Sequence, residues 1–327
     1  MSKKLNKQRN FADDIIITDD TYAGQLALPY VTAAVKSPDT IAKGYVRQID
    51  GLNKSAVINN LVSTAPIVTA GCDFDANDTL SITEQILTLS DMKVNEQICR
   101  GTILPTWIGQ GMDRNGNLPQ SFSDFVISTV AGSAGQQLEN MLWLGDAGTA
   151  FGTGLLSNDG VFDALGFAAS QMKSFHTVES IAPVTGAGSL TFFGEVFDKV
   201  ASEVPGIMSK PGFGFYVGNQ VYSLYIQGLA NAGGNGLGGQ VTDQSFTGPT
   251  YLGYPVYLCP GMPDKCIVAT YKDNVVYGSN LATDYTEVRL IPTYQYDGSD
   301  NIRIVMNFAV GVQVAVAGDG VVGYDFA

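Results

Sequence analysis

The chain has 327 residues and a mass of 34.7 kDa, enough to bury a substantial core in one large domain or two ordinary ones. Charged residues make up only 15% of it, against roughly 25% in ordinary domains, so we expect much of its surface to meet other protein. The formal net charge of −13 argues against a nucleic-acid binder, because such proteins neutralise phosphate with clustered Lys and Arg. The 38 glycines favour a mixed, β-rich fold with many turns.

The first 36 residues show no sustained hydrophobic period and predict an extended arm. Four basic residues crowd the first ten positions, and four acidic residues follow in the next ten: Lys3, Lys4, Lys7, Arg9, Asp13, Asp14, Asp19 and Asp20. Such a run indicates a solvated tail or, alternatively, an electrostatic tether to an acidic partner. No apolar run follows the basic start, so no signal peptide is predicted and we expect the chain to stay in the cytosol.

Two short helices are predicted next. Ser37 and Pro38 resemble an N-cap followed by proline at the first helical position, which indicates a helix running toward Ile49. A second helical stretch is predicted between Leu52 and Val62.

Residues 67 to 100 predict a projecting β-hairpin. Apolar Leu80 and Ile82 alternate with Ser81 and Thr83, as in a half-buried strand. The segment Asp75 to Thr79 is acidic and polar, and we interpret it as the tip between two strands.

The same segment offers an alternative interpretation as a calcium loop. Five positions from Asp73 to Glu84 match the oxygen donors of an EF-hand, with ligands expected from Asp73, Asp75, Asn77 and Glu84. Asp78 stands where the loop requires a sharp turn and favours glycine. The preceding residues, with Pro66 and Gly71, do not form a helical pattern, so the hairpin tip is the preferred interpretation and no metal site is assigned.

A long helix is the clearest element. Ser121 and Asp124 form a capping pattern, and the apolar residues after them fall at helical spacing: Phe122, Phe125, Val126, Val130, Ala134, Leu138, Met141 and Leu142. Gly145 is predicted to end this helix. Two shorter helices are predicted at Phe192–Val204 and Asn219–Leu229, with a strand at Phe213–Val217 between them, and the glycine-rich residues 228 to 247 predict a loop.

Residues that support catalysis are scarce. His176 is the single histidine, which disfavours Ser-His-Asp relays and histidine zinc sites. Ser170 and Lys173 match S-x-x-K, but the companion motifs of penicillin-binding enzymes are missing. The four cysteines form no C-x-x-C pair, and we expect reduced thiols at Cys72, Cys99, Cys259 and Cys266. No catalytic residue, cofactor site or enzyme activity is therefore predicted, and a glycosidase carboxylate pair has no positive support.

The C-terminal part predicts one very long strand. Every even position from Ile302 to Val316 is apolar, so we expect the strand to cross more than one sheet or to bend between sheets. Asp297 and Gly298 precede it as a hairpin turn signal. Gly318 to Gly323 spells G-x-G-x-x-G, but only four residues follow, so it indicates a turn at a strand end rather than a dinucleotide site. Asn307 and Gln313 interrupt the longest apolar run, and no membrane span is predicted.

The order of these elements resembles the major capsid protein of tailed bacteriophages, a fold shared with encapsulins and herpesvirus capsid floors. The closest textual likenesses lie at Glu139–Gly148 with Gly154–Leu156, Gly214–Asn219, Tyr251–Tyr257 with Met262–Pro263, and Val275–Gly278. No motif is specific alone, and their order over residues 60 to 327 carries the resemblance.

The resemblance implies an α+β fold with an N-terminal arm, an extended loop, a spine helix, a peripheral domain and an axial domain. The implied boundaries are 1–60 for the arm with short helices, 65–100 for the extended loop, 101–155 with 282–308 for the peripheral domain, and 156–281 with 309–327 for the axial domain. The spine helix would be 121–145. The extended loop would lie over a neighbouring subunit, and residues 228 to 247 would lie near a five- or six-fold axis.

The resemblance further implies a structural protein of the virion. It would assemble in the host cytoplasm into pentamers and hexamers of an icosahedral shell that encloses double-stranded DNA without sequence-specific binding. Portal, scaffolding or decoration proteins would be its other partners. No long helical segment precedes the arm, so a separate scaffold is expected. An encapsulin-type compartment and, more remotely, a calcium-binding module at Asp73–Glu84 are the alternatives.

Overall fold

The computed structural model describes residues 20–23, 34–36, 38–62, 69, 72, 80–99, 120–179, 185–232, 248–280, 287–293, 296 and 298–325. Its strands are β1 Asp20–Ala23, β2 Arg47–Ile49, β3 Ser55–Val62, β4 Ser81–Thr88, β5 Ser90–Cys99, β6 His176–Glu179, β7 Phe213–Val217, β8 Thr250–Tyr251, β9 Tyr254–Leu258, β10 Cys266–Tyr271, β11 Val275–Ser279, β12 Glu287–Pro292, β13 Asn301–Val314 and β14 Val321–Tyr324. Its helices are α1 Asp39–Ala42, α2 Gln120–Leu144, α3 Ala164–Ala169, α4 Gly186–Glu203 and α5 Asn219–Ala232, with a 3-10 turn at Pro205–Ser209. The predicted mixture of helix and sheet is confirmed.

The first sheet is built around the long strand β13. Its order is β1-β12-β13-β11-β2, and β5 pairs with the other edge of β13. Even-numbered residues of β13 are buried, including Ile304, Met306 and Phe308, so the predicted period is confirmed. The expectation that this strand passes between sheets is wrong, because β12 and β11 pair in succession with one edge of β13 within a single sheet. The implied domain boundary after residue 308 therefore falls inside this strand.

The second sheet has the order β6-β14-β10-β7-β9-β8. Helices α4 and α5 pack together, and an aromatic core lies between α4, α5 and the sheet: Phe192, Phe193, Phe213, Phe215 and Tyr225. The two predicted helices and the strand Phe213–Val217 are confirmed, and both helices are longer than expected. Gly318, at φ +86°, lies in the turn before β14, as the strand-end interpretation required.

Helix α2 joins the two sheets. Its first half contacts the first sheet, where Val126 packs with Leu290, Ile302 and Ile304. Its second half contributes buried apolar residues to the main core, among them Leu138, Met141, Leu142 and Trp143. The helix ends as predicted at Gly145, which has φ +67°. A Cβ added there would overlap the carbonyl oxygen of Gly152, so glycine is required both by conformation and by space.

Three predictions near the N-terminus are corrected. The helix expected to run toward Ile49 is a single turn, α1, whose N-cap is Pro38 rather than Ser37. The helix expected at residues 52–62 is strand β3, because its backbone pairs with β4. Both strands of the extended hairpin are expected from the sequence between residues 67 and 100. In the structure, β4 pairs with β3, which comes before residue 67, and β5 pairs with β13.

Several predicted features lie outside the described residues. These are most of the arm with its basic residues, the hairpin tip from Asp75 to Thr79, Asp297, and the glycine-rich loop beyond residue 232. Among the described residues, which include all four cysteines, no disulfide forms, and Cys259 and Cys266 are buried. No helix of the described part combines the length and apolar character needed to cross a membrane.

Candidate assembly surface

The two-stranded ribbon of β3 and β4 is the main candidate interaction surface. Its base is anchored on the first sheet, where fully buried Leu87 packs with Val276 and Ala315. The amide of Gln313 on β13 also donates to Oε1 of Gln85 at 3.2 Å. Beyond this base the ribbon is a two-stranded sheet of its own.

One exposed face of the ribbon is mostly apolar. The register places Val57 opposite Ile86 and Leu61 opposite Ile82, and residues two apart along a strand share a face. These four side chains are 55%, 56%, 60% and 67% exposed for Val57, Ile86, Leu61 and Ile82 respectively. Clustered exposed aliphatic side chains of this kind mark an interaction surface in a water-soluble protein.

The two apolar pairs flank one polar pair on the same face. Glu84 of the proposed calcium loop stands opposite Asn59 and is exposed. Asp73, Asp75, Asn77 and Asp78 lie outside the described residues. Glu84 is held in a paired strand, whereas the last ligand of an EF-hand lies where the loop enters its second helix.

The other residues considered for catalysis from the sequence make local structural contacts or are exposed. Ser170 is buried, and its hydroxyl donates to the carbonyl of Phe167 at 2.7 Å, which closes the end of α3. His176 begins β6, with Nδ1 3.9 Å from Oε2 of Glu203. Lys173 is exposed. None of these three residues lines either of two clefts beside α2, one formed with Pro38 and Asp39 and the other with Gly160 and Asp264.

A buried carboxylate that sequence reasoning did not single out connects three segments. Glu139 of α2 is 4% exposed. Its Oε2 accepts the backbone N–H of Thr40 at 3.1 Å, its Oε1 accepts the Thr40 hydroxyl in a short hydrogen bond, and the N–H of Gly261 lies 3.5 Å from Oε1. The Trp143 indole N–H in turn donates to the Thr40 hydroxyl oxygen at 3.3 Å. This network fastens α1 and the loop after β9 to the long helix.

The sequence carried one indication of this network. Glu139 directly follows the apolar position Leu138 and is the one charged residue in the second half of the helix, and a charged residue that becomes buried is usually paired or hydrogen-bonded. Its partners Thr40 and Gly261 lie about a hundred residues away on either side, so spacing alone did not identify them. The nearby Cys259 thiol is fully buried, and burial raises its pKa well above the ordinary value, which makes it unreactive.

Solved structures are similar to this chain over nearly its whole length, and three of them illustrate the likeness. A chain of the capsid of Myoviridae phage XM1 has 12% identity and a TM-score of 0.52, with 88% of this chain and 92% of that chain covered. A chain of the native GTA particle capsid has 12% identity and a TM-score of 0.54, with 90% and 91% covered. A chain of the satellite phage P4 procapsid, solved with its size determination (Sid) protein, has 11% identity and a TM-score of 0.55, with 90% and 98% covered.

These matches establish the fold. No protein-family model and no curated protein sequence matches the chain. The chain nevertheless has the phage capsid fold, as its order of elements predicted. The long helix α2, the two sheets and the projecting ribbon are the elements of that fold in this chain.

Proposed function

We propose that this chain is the major capsid subunit of a tailed phage or a related particle, and that it assembles with copies of itself into a closed icosahedral shell. The observation that carries the proposal is the capsid fold, shared over about 90% of the chain with subunits of phage and GTA particles. A subunit of such a shell acts by association rather than by catalysis.

The ribbon supports this proposal independently of the comparisons. A surface of four exposed aliphatic side chains on a thin two-stranded projection adds little to the stability of its own subunit. Its burial against another copy would remove apolar area from water at about 25 cal/mol per Å². The low charge content of the chain is the composition expected where many surfaces become interfaces.

The other implied properties belong to the same proposal. A net charge of −13 would repel packaged DNA and allow it to move inside the shell. Portal, scaffolding and decoration proteins are proposed as further partners, with assembly in the host cytoplasm and final location in the virion. The neighbours are phage and GTA capsids, so the encapsulin alternative is not favoured.

The division into domains also remains a proposal. Its support is that the first sheet packs on the first half of α2, whereas the second sheet has its own aromatic core with α4 and α5. Because β11 and residues 309–314 pair within the first sheet, we assign them to the peripheral side rather than to the axial domain.

Assembly of purified protein tests the proposal. We expect closed shells in electron micrographs and a void-volume peak in size-exclusion chromatography, with or without a co-expressed scaffold. Protein that remains monomeric under both conditions contradicts it.

Two matched variants test the role of the ribbon. Ile82→Asp places a charge on the apolar face and should abolish assembly while the circular dichroism spectrum stays unchanged. Thr83→Asp adds the same charge one residue along the same strand, on the opposite face, and should still assemble. Equal assembly by both variants would mean that the apolar face of the ribbon is not part of the interface between copies.

A further inference from the structure

The hairpin of β8 and β9 turns through a leucine. The register pairs Thr250 with Pro255 and Tyr251 with Tyr254, so Leu252 and Gly253 form a two-residue loop. Their φ angles are +47° and +88°, which is the combination of a type I′ turn. Among the described residues, Leu252 is the one non-glycine residue with positive φ.

Leucine is poorly suited to this position. Type I′ turns favour Asn, Asp or Gly, because the left-handed conformation brings the Cβ of other residues close to the following carbonyl oxygen. The Leu252 side chain is 66% exposed, so packing within its own subunit does not compensate for the strain.

The surroundings of the turn hold it in place. The Tyr251 ring packs against Phe193 and Phe215, with centroids 5.3 and 5.7 Å apart, and Tyr254 packs edge-on against Phe213 at 4.9 Å. The hydroxyl of Tyr225 donates to the carbonyl of Thr250 at 2.7 Å. The aromatic core thus fixes both strands, and the strained tip projects Leu252 in one defined position.

We propose that Leu252 is an assembly contact, an apolar side chain that each copy of the chain buries against a second copy. This inference rests on the proposed function, in which copies of the chain surround every subunit. A rigidly presented leucine loses little conformational freedom on docking, and strained backbone positions that a fold maintains cluster at functional sites. A chain so low in charge offers suitable uncharged surface on its neighbouring copies.

The variant Leu252→Asn separates folding from assembly. Asn adopts the turn with less strain, so the Tm of the isolated subunit should rise by about 1–3 °C. Loss of the buried leucine should raise the critical concentration for assembly by about tenfold or more. Leu252→Met keeps an apolar side chain of similar volume and should assemble within about threefold of the wild-type concentration.

Each other outcome overturns a specific statement. If wild-type protein forms no shells, the proposed function fails and this inference fails with it. If wild-type shells form and Leu252→Asn assembles equally well, only the role of Leu252 is overturned. A lower Tm for Leu252→Asn would contradict the statement that Leu252 strains the turn. If Leu252→Met raises the critical concentration for assembly as much as Leu252→Asn does, the apolar contact is contradicted.

Photo-crosslinking identifies the molecule that Leu252 contacts. With p-benzoylphenylalanine at position 252, illumination of assembled shells should give a product of two covalently joined chains. Dissociated subunits should give none. A cross-link to a different protein, or none in intact shells, overturns the assignment to a second copy.

Discussion

At the scale of single residues, the fold depends on side chains whose burial the sequence indicates to different degrees. Phe308 follows directly from the period-two pattern of β13, whereas Glu139 acquires its role from partners distant along the chain. A variant at Phe308 therefore tests what the sequence pattern predicts, and a variant at Glu139 tests what only the tertiary structure shows.

Phe308→Ala should lower the free energy of unfolding by about 3–5 kcal/mol, the usual cost of truncating a large core side chain. Phe308 is 5% exposed and belongs to the main core cluster. Urea unfolding of the subunit, followed by circular dichroism, measures the change. Val305→Ala is the matched control on the opposite, partly exposed face of the same strand, and a similar loss in both variants would contradict the assigned orientation of β13.

Glu139→Leu should destabilise the subunit by about 3 kcal/mol, because it leaves buried donors of Thr40 and Gly261 without an acceptor. Glu139→Gln retains one carbonyl oxygen as acceptor and should cost about 1 kcal/mol. Urea titration monitored by tryptophan fluorescence gives both values. Equal losses would contradict the expectation that one retained acceptor oxygen preserves most of the network.

At the scale of elements, the pairing of β3 with β4 favours the hairpin interpretation of the residues from Asp73 to Glu84 over the calcium-loop interpretation. The sequence from Asp73 to Glu84 matches the donor positions of a calcium loop, but Glu84 is a paired residue in β4. A strand at this position lacks the second helix that orients the last ligand in an EF-hand.

Isothermal titration of the disassembled subunit with calcium should therefore show no saturable site at micromolar affinity. The comparison is Glu84→Gln, which removes the charge expected of the last ligand and should give the same trace. A site in the wild-type protein that disappears in Glu84→Gln would restore the calcium interpretation.

At the scale of the whole molecule, net charge opposes the association that the fold favours. Copies that each carry a charge of −13 repel one another, and this repulsion is screened over about 10 Å at 0.1 M salt but about 3 Å at 1 M. Apolar contacts such as the ribbon face are not weakened by added salt.

The critical concentration for assembly should consequently fall as sodium chloride is raised from about 0.1 to about 1 M. Light scattering at a series of protein concentrations measures it, with sucrose of equal osmolality as the uncharged control. A rise with salt would indicate that attractive ion pairs, rather than apolar contacts, dominate the interfaces.

The sequence by itself determined the elements whose signal is local. The even-position pattern of β13, the helical spacing and terminal glycine of α2, and the strand β7 between two helices all follow from periodicity and turn chemistry. The order of those elements, together with short textual likenesses, resembles the phage major capsid protein, and that resemblance predicted the fold. Such features are fixed by residues close together in the chain.

Only the tertiary structure decided which strands pair and what stays exposed. Residues 52–62 fit a helical pattern, yet residues 55–62 form β3 because β4 supplies hydrogen bonds from positions that run from Ser81, opposite Val62, to Thr88, opposite Ser55, well beyond the reach of a local pattern. The length of β13 is explained by β12 and β11, which share one edge. The positive φ of Leu252 is imposed by an aromatic core that its own dipeptide does not reveal. In each case long-range packing overrides local preference, because backbone groups must find partners wherever the fold provides them.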